Sequence, residues 1–170
     1  DTFGEVFRVL DATVFERCFR QWVASIVGVA EGVVAFDGKT VRGSKDGPNT
    51  ALHMVSAYAT TLGVSLGQEG TAGKGNELAA IKALLDTLVL KGCIVTMDAL
   101  GCQTEVVEKI VAQGGDYVLA VKDNQKNLSQ AIVEFFDTAA AYDFRNIDVQ
   151  TRTSVEKNHG RIETRRAVFV

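Results

Sequence analysis

The sequence predicts an α/β fold, a mixed sheet with helices on its faces, and three observations predict it. Two short apolar runs, Val33-Val34-Ala35-Phe36 and Ile94-Val95-Thr96-Met97, are rich in β-branched residues and each closes on an aspartate, Asp37 and Asp98. Such runs bounded by glycine read as buried strands. Elsewhere apolar positions recur at steps of three and four, the spacing of amphipathic helices. The order that emerges is three strands, a helix, a strand, a helix, a strand and a helix. An antiparallel three-strand meander extended by βαβ crossovers satisfies that order with short connections.

Each element has its own reason. Phe3, Val6, Phe7 and Leu10, then Val14, Phe15, Cys18, Phe19, Trp22, Val23 and Ile26, mark two amphipathic helices, with Asp11 as N-cap of the second. The first strand is 33–37. Residues 52–60 and 63–68 make the second and third, joined by a tight turn around Leu62-Gly63. Residues 76–90 form a helix capped by Asn76, and 93–98 the fourth strand. Thr104 to Gln113 is a helix closed by Gly114-Gly115, Tyr117 to Lys122 the fifth strand, and 125–141 another helix. Residues 145–155 and 161–170 alternate as hairpin or edge strands. Residues 1–30 are thus a helical segment preceding a core over 31–170, whose 142–170 part is a β-rich insertion or hairpin. The start without an initiator methionine and the end at Ala167-Val168-Phe169-Val170, which reads as mid-strand, lead us to expect a fragment of a longer protein, truncated at its C-terminus.

Composition narrows the function classes. A chain of 170 residues, 46% apolar and 23% charged with one proline, belongs to folded globular domains and not to disordered ones. Its apolar runs fall short of the ~20 residues a membrane helix needs, and nothing resembles a signal peptide. Three scattered cysteines, Cys18, Cys93 and Cys102, fit reduced thiols in a cytoplasmic compartment, with Cys93 and Cys102 as core packing. The net charge is −3, but six Lys/Arg against three Asp/Glu from Arg145 onward leave −6 on the first 144 residues. A basic tail on an acidic body steers phosphates, unless it is merely a solvated face.

The chemistry lies in the two aspartates. If the first and fourth strands are adjacent and parallel, Asp37 and Asp98 stand side by side at their C-terminal ends, where α/β sheets collect ligands. Two carboxylates that close stay ionised together only around a cation. Magnesium suits the pair, because it takes one or two protein carboxylates and leaves its other positions to water and phosphate. A third carboxylate permits a second ion and a two-metal in-line displacement at phosphorus. The plainer alternative for Asp37 is a turn before Gly38; Asp98, ahead of Ala99-Leu100-Gly101, is harder to explain as a turn former.

Asp37-Gly38-Lys39-Thr40-Val41-Arg42-Gly43-Ser44 resembles the first-aspartate motif of bacterial insertion-sequence DDE transposases, in the subgroup that includes the H-repeat-associated proteins. Thr96-Met97-Asp98-Ala99-Leu100-Gly101-Cys102-Gln103 is similar to its second-aspartate motif. Gly114-Gly115-Asp116-Tyr117-Val118-Leu119-Ala120-Val121-Lys122, followed by Asn124-Gln125, is similar to its next strand, and His159-Gly160-Arg161-Ile162-Glu163-Thr164-Arg165 to its glutamate motif. The motifs run in family order over the whole chain. The resemblance implies an RNase H-like core, a triad of Asp37, Asp98 and Glu163, and two Mg²⁺ or Mn²⁺ ions. It implies hydrolytic nicking at an element end, then attack of the freed 3′-hydroxyl on target DNA. The broader family often has a tyrosine, an arginine three residues on and the glutamate four after that. Glu156 and His159 hold those first two positions here, so Glu156 is the alternative to Glu163.

Around these residues, Lys39, Arg42 and Lys45 follow the first aspartate, and Lys122, Arg161 and Arg165 lie near the later motifs. They are the candidate contacts to DNA backbone, which fix register without reading sequence; surface solubility is the alternative. Asn124 and Gln125 are expected to cap the following helix, with substrate contact as the alternative. The stretch Gly70-Thr71-Ala72-Gly73-Lys74-Gly75 lacks the first glycine and the Ser/Thr of a P-loop and reads as a flexible turn. His53 reads as a satisfied core histidine, His53 and His159 make no zinc site, and Trp22 belongs to a helix face. A degenerate element-derived protein that only binds DNA is the competing reading. A metal-free dicarboxylate glycosidase is a third, without the aromatic cleft that sugars need. The partners expected are DNA at element ends and target, with no membrane, a homodimer in the active assembly and a bacterial cytoplasmic, nucleoid-associated setting.

Overall fold

The computed structural model describes residues 2–27, 32–45, 51–71, 75–158 and 160–170. They divide into two compact units, Asp1–Gln125 and Lys126–Val170. In the first, helices α1 (Thr2–Val9) and α2 (Ala12–Val27) precede strands β1 (Gly32–Thr40), β2 (His53–Ala59) and β3 (Val64–Thr71). Helix α3 (Glu77–Leu85), strand β4 (Cys93–Met97), helix α4 (Thr104–Ala112) and strand β5 (Asp116–Leu119) follow, with short 3₁₀ turns at Ala99–Gly101 and Asp123–Gln125.

The sheet runs β3-β2-β1-β4-β5. β1–β2 and β2–β3 are antiparallel, β1–β4 and β4–β5 parallel. This is the mixed sheet expected of an RNase H-like fold, and the first and fourth strands are neighbours. Val34, Phe36, Val55, Ala57, Val95 and Met97 turn into a core completed by Leu84 and Leu85 of α3 and Val106 and Ile110 of α4. Val34, Val55, Val95, Leu84 and Ile110 are each 1% exposed or less, so truncating any of the leucines or isoleucine to alanine costs about 2–5 kcal/mol.

Several boundaries differ from expectation for local reasons. β1 continues past Asp37 to Thr40, because β2 offers partners as far as Thr40↔His53. Asp37 is therefore inside a strand and faces Ser56, beyond the last β1–β4 pair, Ala35↔Thr96. α3 stops at Leu85 rather than residue 90, where the Thr87 hydroxyl and amide both donate to the Leu84 carbonyl and tighten the last turn. Asn76 makes no side-chain capping bond to α3. β5 ends at Leu119 as its partner β4 runs out at Met97. Asp11 does cap α2, its Oδ1 accepting from the amides of Thr13 and Val14 at 2.9 and 3.0 Å. Gly114, at φ 74°, closes α4 as expected.

The apolar faces of α1 and α2 are present but largely uncovered: Phe3, Phe7, Phe15 and Trp22 are exposed, and Val23 is the buried side chain described on α2. What ties α2 to the sheet is polar as well as apolar. Arg20 pairs with Glu16 and Glu69 and donates from Nη2 to the Gln68 carbonyl at 3.1 Å. Cys93 is buried, Cys102 half-buried and Cys18 exposed, and none of the three is in a disulfide. Among the described residues no helix is long and apolar enough to cross a membrane. Residues 72–74 of the glycine-rich stretch lie outside the described residues.

The second unit holds helix α5 (Lys126–Ala141) and the antiparallel hairpin of β6 (Gln150–Asn158) and β7 (Arg161–Phe169). The hairpin replaces the expected 145–155 and 161–170 pairing with strands of equal length.

Candidate active site

The register brings the two motif aspartates to one sheet face. Ala35 pairs with Thr96 across the parallel β1–β4 seam, and Asp37 and Asp98 each lie two residues further along. Side chains alternate along a strand, so both carboxylates share the Thr96 face. Asp98 keeps extended backbone (φ −71°, ψ −179°), so the alternation carries through to it. Both line a small cavity of about 10 Å³ with Gly38, Val55, Glu77 and Met97. That is room for roughly one water. Larger hollows, about 620 Å³ beside α5 and about 400 Å³ between α2 and β3, lack a carboxylate pair.

Asp98 does serve a turn, contrary to the expectation that it would not. It is the N-cap of the 3₁₀ turn, its Oδ1 accepting from the Leu100 amide at 3.1 Å. The cap uses one of two carboxylate oxygens, so it orients Asp98 without consuming it. Asp37 is exposed and pairs through Oδ2 with Lys39 Nζ at 3.0 Å. Both partners of that pair are well solvated, so it contributes at most ~1 kcal/mol.

The loop after Asp98 is clamped from β5's side. Asn124 Nδ2 donates to the Ala99 carbonyl at 2.5 Å, and Gln125 Nε2 to the Cys102 carbonyl at 2.8 Å. The expected capping of the following helix is thus replaced by a tie to the Asp98 loop. Capping and clamping use the same amide chemistry, and sequence does not separate them. Ser44 does comparable work after Asp37: its Oγ donates to the Val41 carbonyl at 2.7 Å and accepts from the Leu52 amide at 2.8 Å.

His53 is buried, as expected of a core histidine. Its Nδ1 lies 2.9 Å from Thr40 Oγ1, and its Nε2 contacts Glu77 Oε1. Glu77, absent from the sequence-based candidates, opens α3, where a carboxylate complements the helix dipole. The available signal was only an acidic residue at the first turn after the third strand.

The donor chemistry of Asp37 and Asp98 fits a hard divalent cation: two exposed carboxylates on one face of neighbouring strands, with the ion's other positions left to water and phosphate oxygens. Among the described residues no three His, Cys, Asp or Glu side chains converge to hold an ion by themselves. Arg42, Lys45 and Lys122 are exposed in the loops after β1 and β5.

In the second unit, Glu156 and Glu163 stand directly opposite each other across β6 and β7. Arg165 joins them, with Nη2 2.7 Å from Glu163 Oε2 and Nη1 3.8 Å from Glu156 Oε2. Arg161 is exposed near the hairpin turn, and His159 lies outside the described residues.

The transposase DDE domain family matches the chain over residues 2–168. YncI of Escherichia coli (strain K12) is 41% identical over 168 residues, covering 97% of this chain and 66% of YncI. The H repeat-associated YhhI of the same strain is 39% identical over 97% of this chain and 44% of its own length. The chain thus spans less than two thirds of either relative. Among solved structures, a piggyBac transposase synaptic complex with hairpin DNA has a TM-score of 0.41 at 11% identity, over 56% of this chain and 24% of that one. The family match over residues 2–168 and the relatives matched over 97% of the chain make it a member of the transposase DDE domain family, of the kind that includes the H repeat-associated proteins.

Proposed function

We propose that this chain is the catalytic core of a transposase that cuts DNA at the ends of an insertion sequence and joins those ends to target DNA. What carries the reading is the pairing of Asp37 and Asp98 on one face of adjacent parallel strands. In it, Asp37 and Asp98 would hold Mg²⁺ or Mn²⁺, with Glu163 the third carboxylate that the order of the motifs implies. Bound there, the ions polarise the scissile phosphate and lower the pKa of an attacking water or hydroxyl.

The chain's own residues orient and bind. The Leu100 amide fixes one Asp98 oxygen, and Asn124 and Gln125 hold the loop that bears it. Lys39, Arg42, Lys122, Arg161 and Arg165 contact backbone phosphates. In the first step a water oxygen bonds to phosphorus as the bond to the 3′-oxygen breaks, freeing a 3′-hydroxyl. In the second that hydroxyl loses its proton and bonds to a target phosphorus, displacing the target strand's own 3′-oxygen. Two DNA ends must be joined in one event, so the working form is a homodimer on the bacterial nucleoid.

A strand-transfer assay on the full-length protein tests this. Wild type joins labelled element ends to a plasmid in Mn²⁺, and Asp98→Ala does not. Joining that survives Asp98→Ala would overturn it, and a wild type that binds DNA without cutting would favour a decayed, DNA-binding descendant.

A further inference from the structure

His53 and Glu77 form a polar pair at the edge of the apolar core, against the backbone of Gly38, the residue after Asp37. His53 is 4% exposed, and the Glu77 side chain 15%. The His53 Nε2 lies in ion-pair contact with Glu77 Oε1 without hydrogen-bond geometry, while its Nδ1 is engaged by Thr40. The three residues link the outer end of β1, the start of β2 and the first turn of α3. The backbone of Gly38 packs against the pair. A Cβ added there would come within 3.0 Å of His53 Nε2, 3.4 Å of Glu77 Cδ and 3.5 Å of Glu77 Oε1. Glycine at 38 is what lets the pair close on this strand.

Stability does not account for such a pair. Desolvating two ionisable groups commonly costs what their attraction returns, and apolar replacements of similar volume are often as stable. Its location offers another account. Glu77 lines the same cavity as Asp37 and Asp98, with Gly38 and Val55 between the β1 and β2 backbones.

We infer that His53 and Glu77 are positioning residues for Asp37. They tie the first turn of α3 through His53 to Thr40, three residues beyond the aspartate, and pack against the Gly38 backbone next to it, and so fix its carboxylate relative to Asp98. The inference rests on the reading of Asp37 and Asp98 as metal-holding carboxylates.

Mn²⁺ titration of the 170-residue chain by calorimetry, with metal-free thermal melts of the same samples, tests both readings separately. Wild type binds Mn²⁺ and Asp98→Asn does not; a wild type without Mn²⁺ binding would remove the metal reading and this inference with it. Glu77→Ala and His53→Phe are each expected to weaken Mn²⁺ binding about 10–100-fold, the usual scale for residues that orient metal ligands. The double variant should be no weaker than either single one, since the two act as a unit. Glu77→Gln keeps a polar partner for His53 and should restore binding. Gly38→Ala keeps every polar group but wedges the pair from the strand, and should weaken binding even if Glu77→Ala fails to fold. Wild-type affinity in Glu77→Ala, His53→Phe and Gly38→Ala would overturn the inference. So would Glu77→Gln as defective as Asp98→Asn, which would make Glu77 a ligand acting by its charge.

Discussion

At the residue scale, Asp98 has two jobs that chemistry can separate. Its Oδ1 caps the turn at Leu100, and its charge is what a cation would feel. Asparagine retains the capping oxygen and loses the charge; alanine loses both. Asp98→Asn is therefore expected to melt with wild type while losing Mn²⁺ binding. Asp98→Ala loses about 0.5–2 kcal/mol of stability as well, read by urea unfolding. Equal destabilisation by both would show that the cap is immaterial. That Asp37 and Asp98 share a face was legible, because each closes an apolar run and the order of elements makes those runs neighbouring parallel strands, whereas the turn that Asp98 caps was not. Nor were Glu77 and His53. Their contact joins residues 24 apart through a strand pairing and a helix docking that no local periodicity encodes. Glu163 was legible as a motif, but its cross-strand opposition to Glu156 emerges only from the hairpin register.

At the element scale, α3 and α4 are joined by two ion pairs, Lys82 with Glu105 at 2.6 Å and Lys109 with Asp86. The Lys82 hydrogen bond, and then its charge, hold the Glu105 carboxyl below its usual 4.5. A carboxyl lowered on folding adds stability that is present above its ordinary pKa and is lost as pH falls through the lowered value. Carboxyl NMR titration should find Glu105 below an ordinary glutamate, and Lys82→Met should return it; an unmoved value would remove the pair. The strands and helices themselves were readable from period and capping, and their order was right. Ends were misjudged where a neighbour decides them: β2 prolongs β1, and the end of β4 truncates β5. The amphipathic face of α1 and α2 was readable, but not that Phe3, Phe7, Phe15 and Trp22 would remain exposed, because periodicity marks a face and not what covers it.

At the scale of the whole molecule, the proposed binding of DNA by a chain of net charge −3 would have to run through local basic groups. If Lys39 and Arg42 touch phosphates, DNA affinity should fall linearly with salt on logarithmic axes. Each replacement by alanine should reduce that slope by about 1 while leaving sequence preference alone. An unchanged slope, measured by fluorescence anisotropy, would return both residues to the solvated surface. The seam between β1 and β4 has a further consequence. Asp37 and Asp98 are separated by 60 residues, and the intervening chain must build β2, β3 and α3 before the parallel strands can meet. Contacts so distant in sequence are slow to form. A nascent or broken chain that stops short of β4 carries one aspartate of the pair, so the proposed site comes into being only once the sheet is whole.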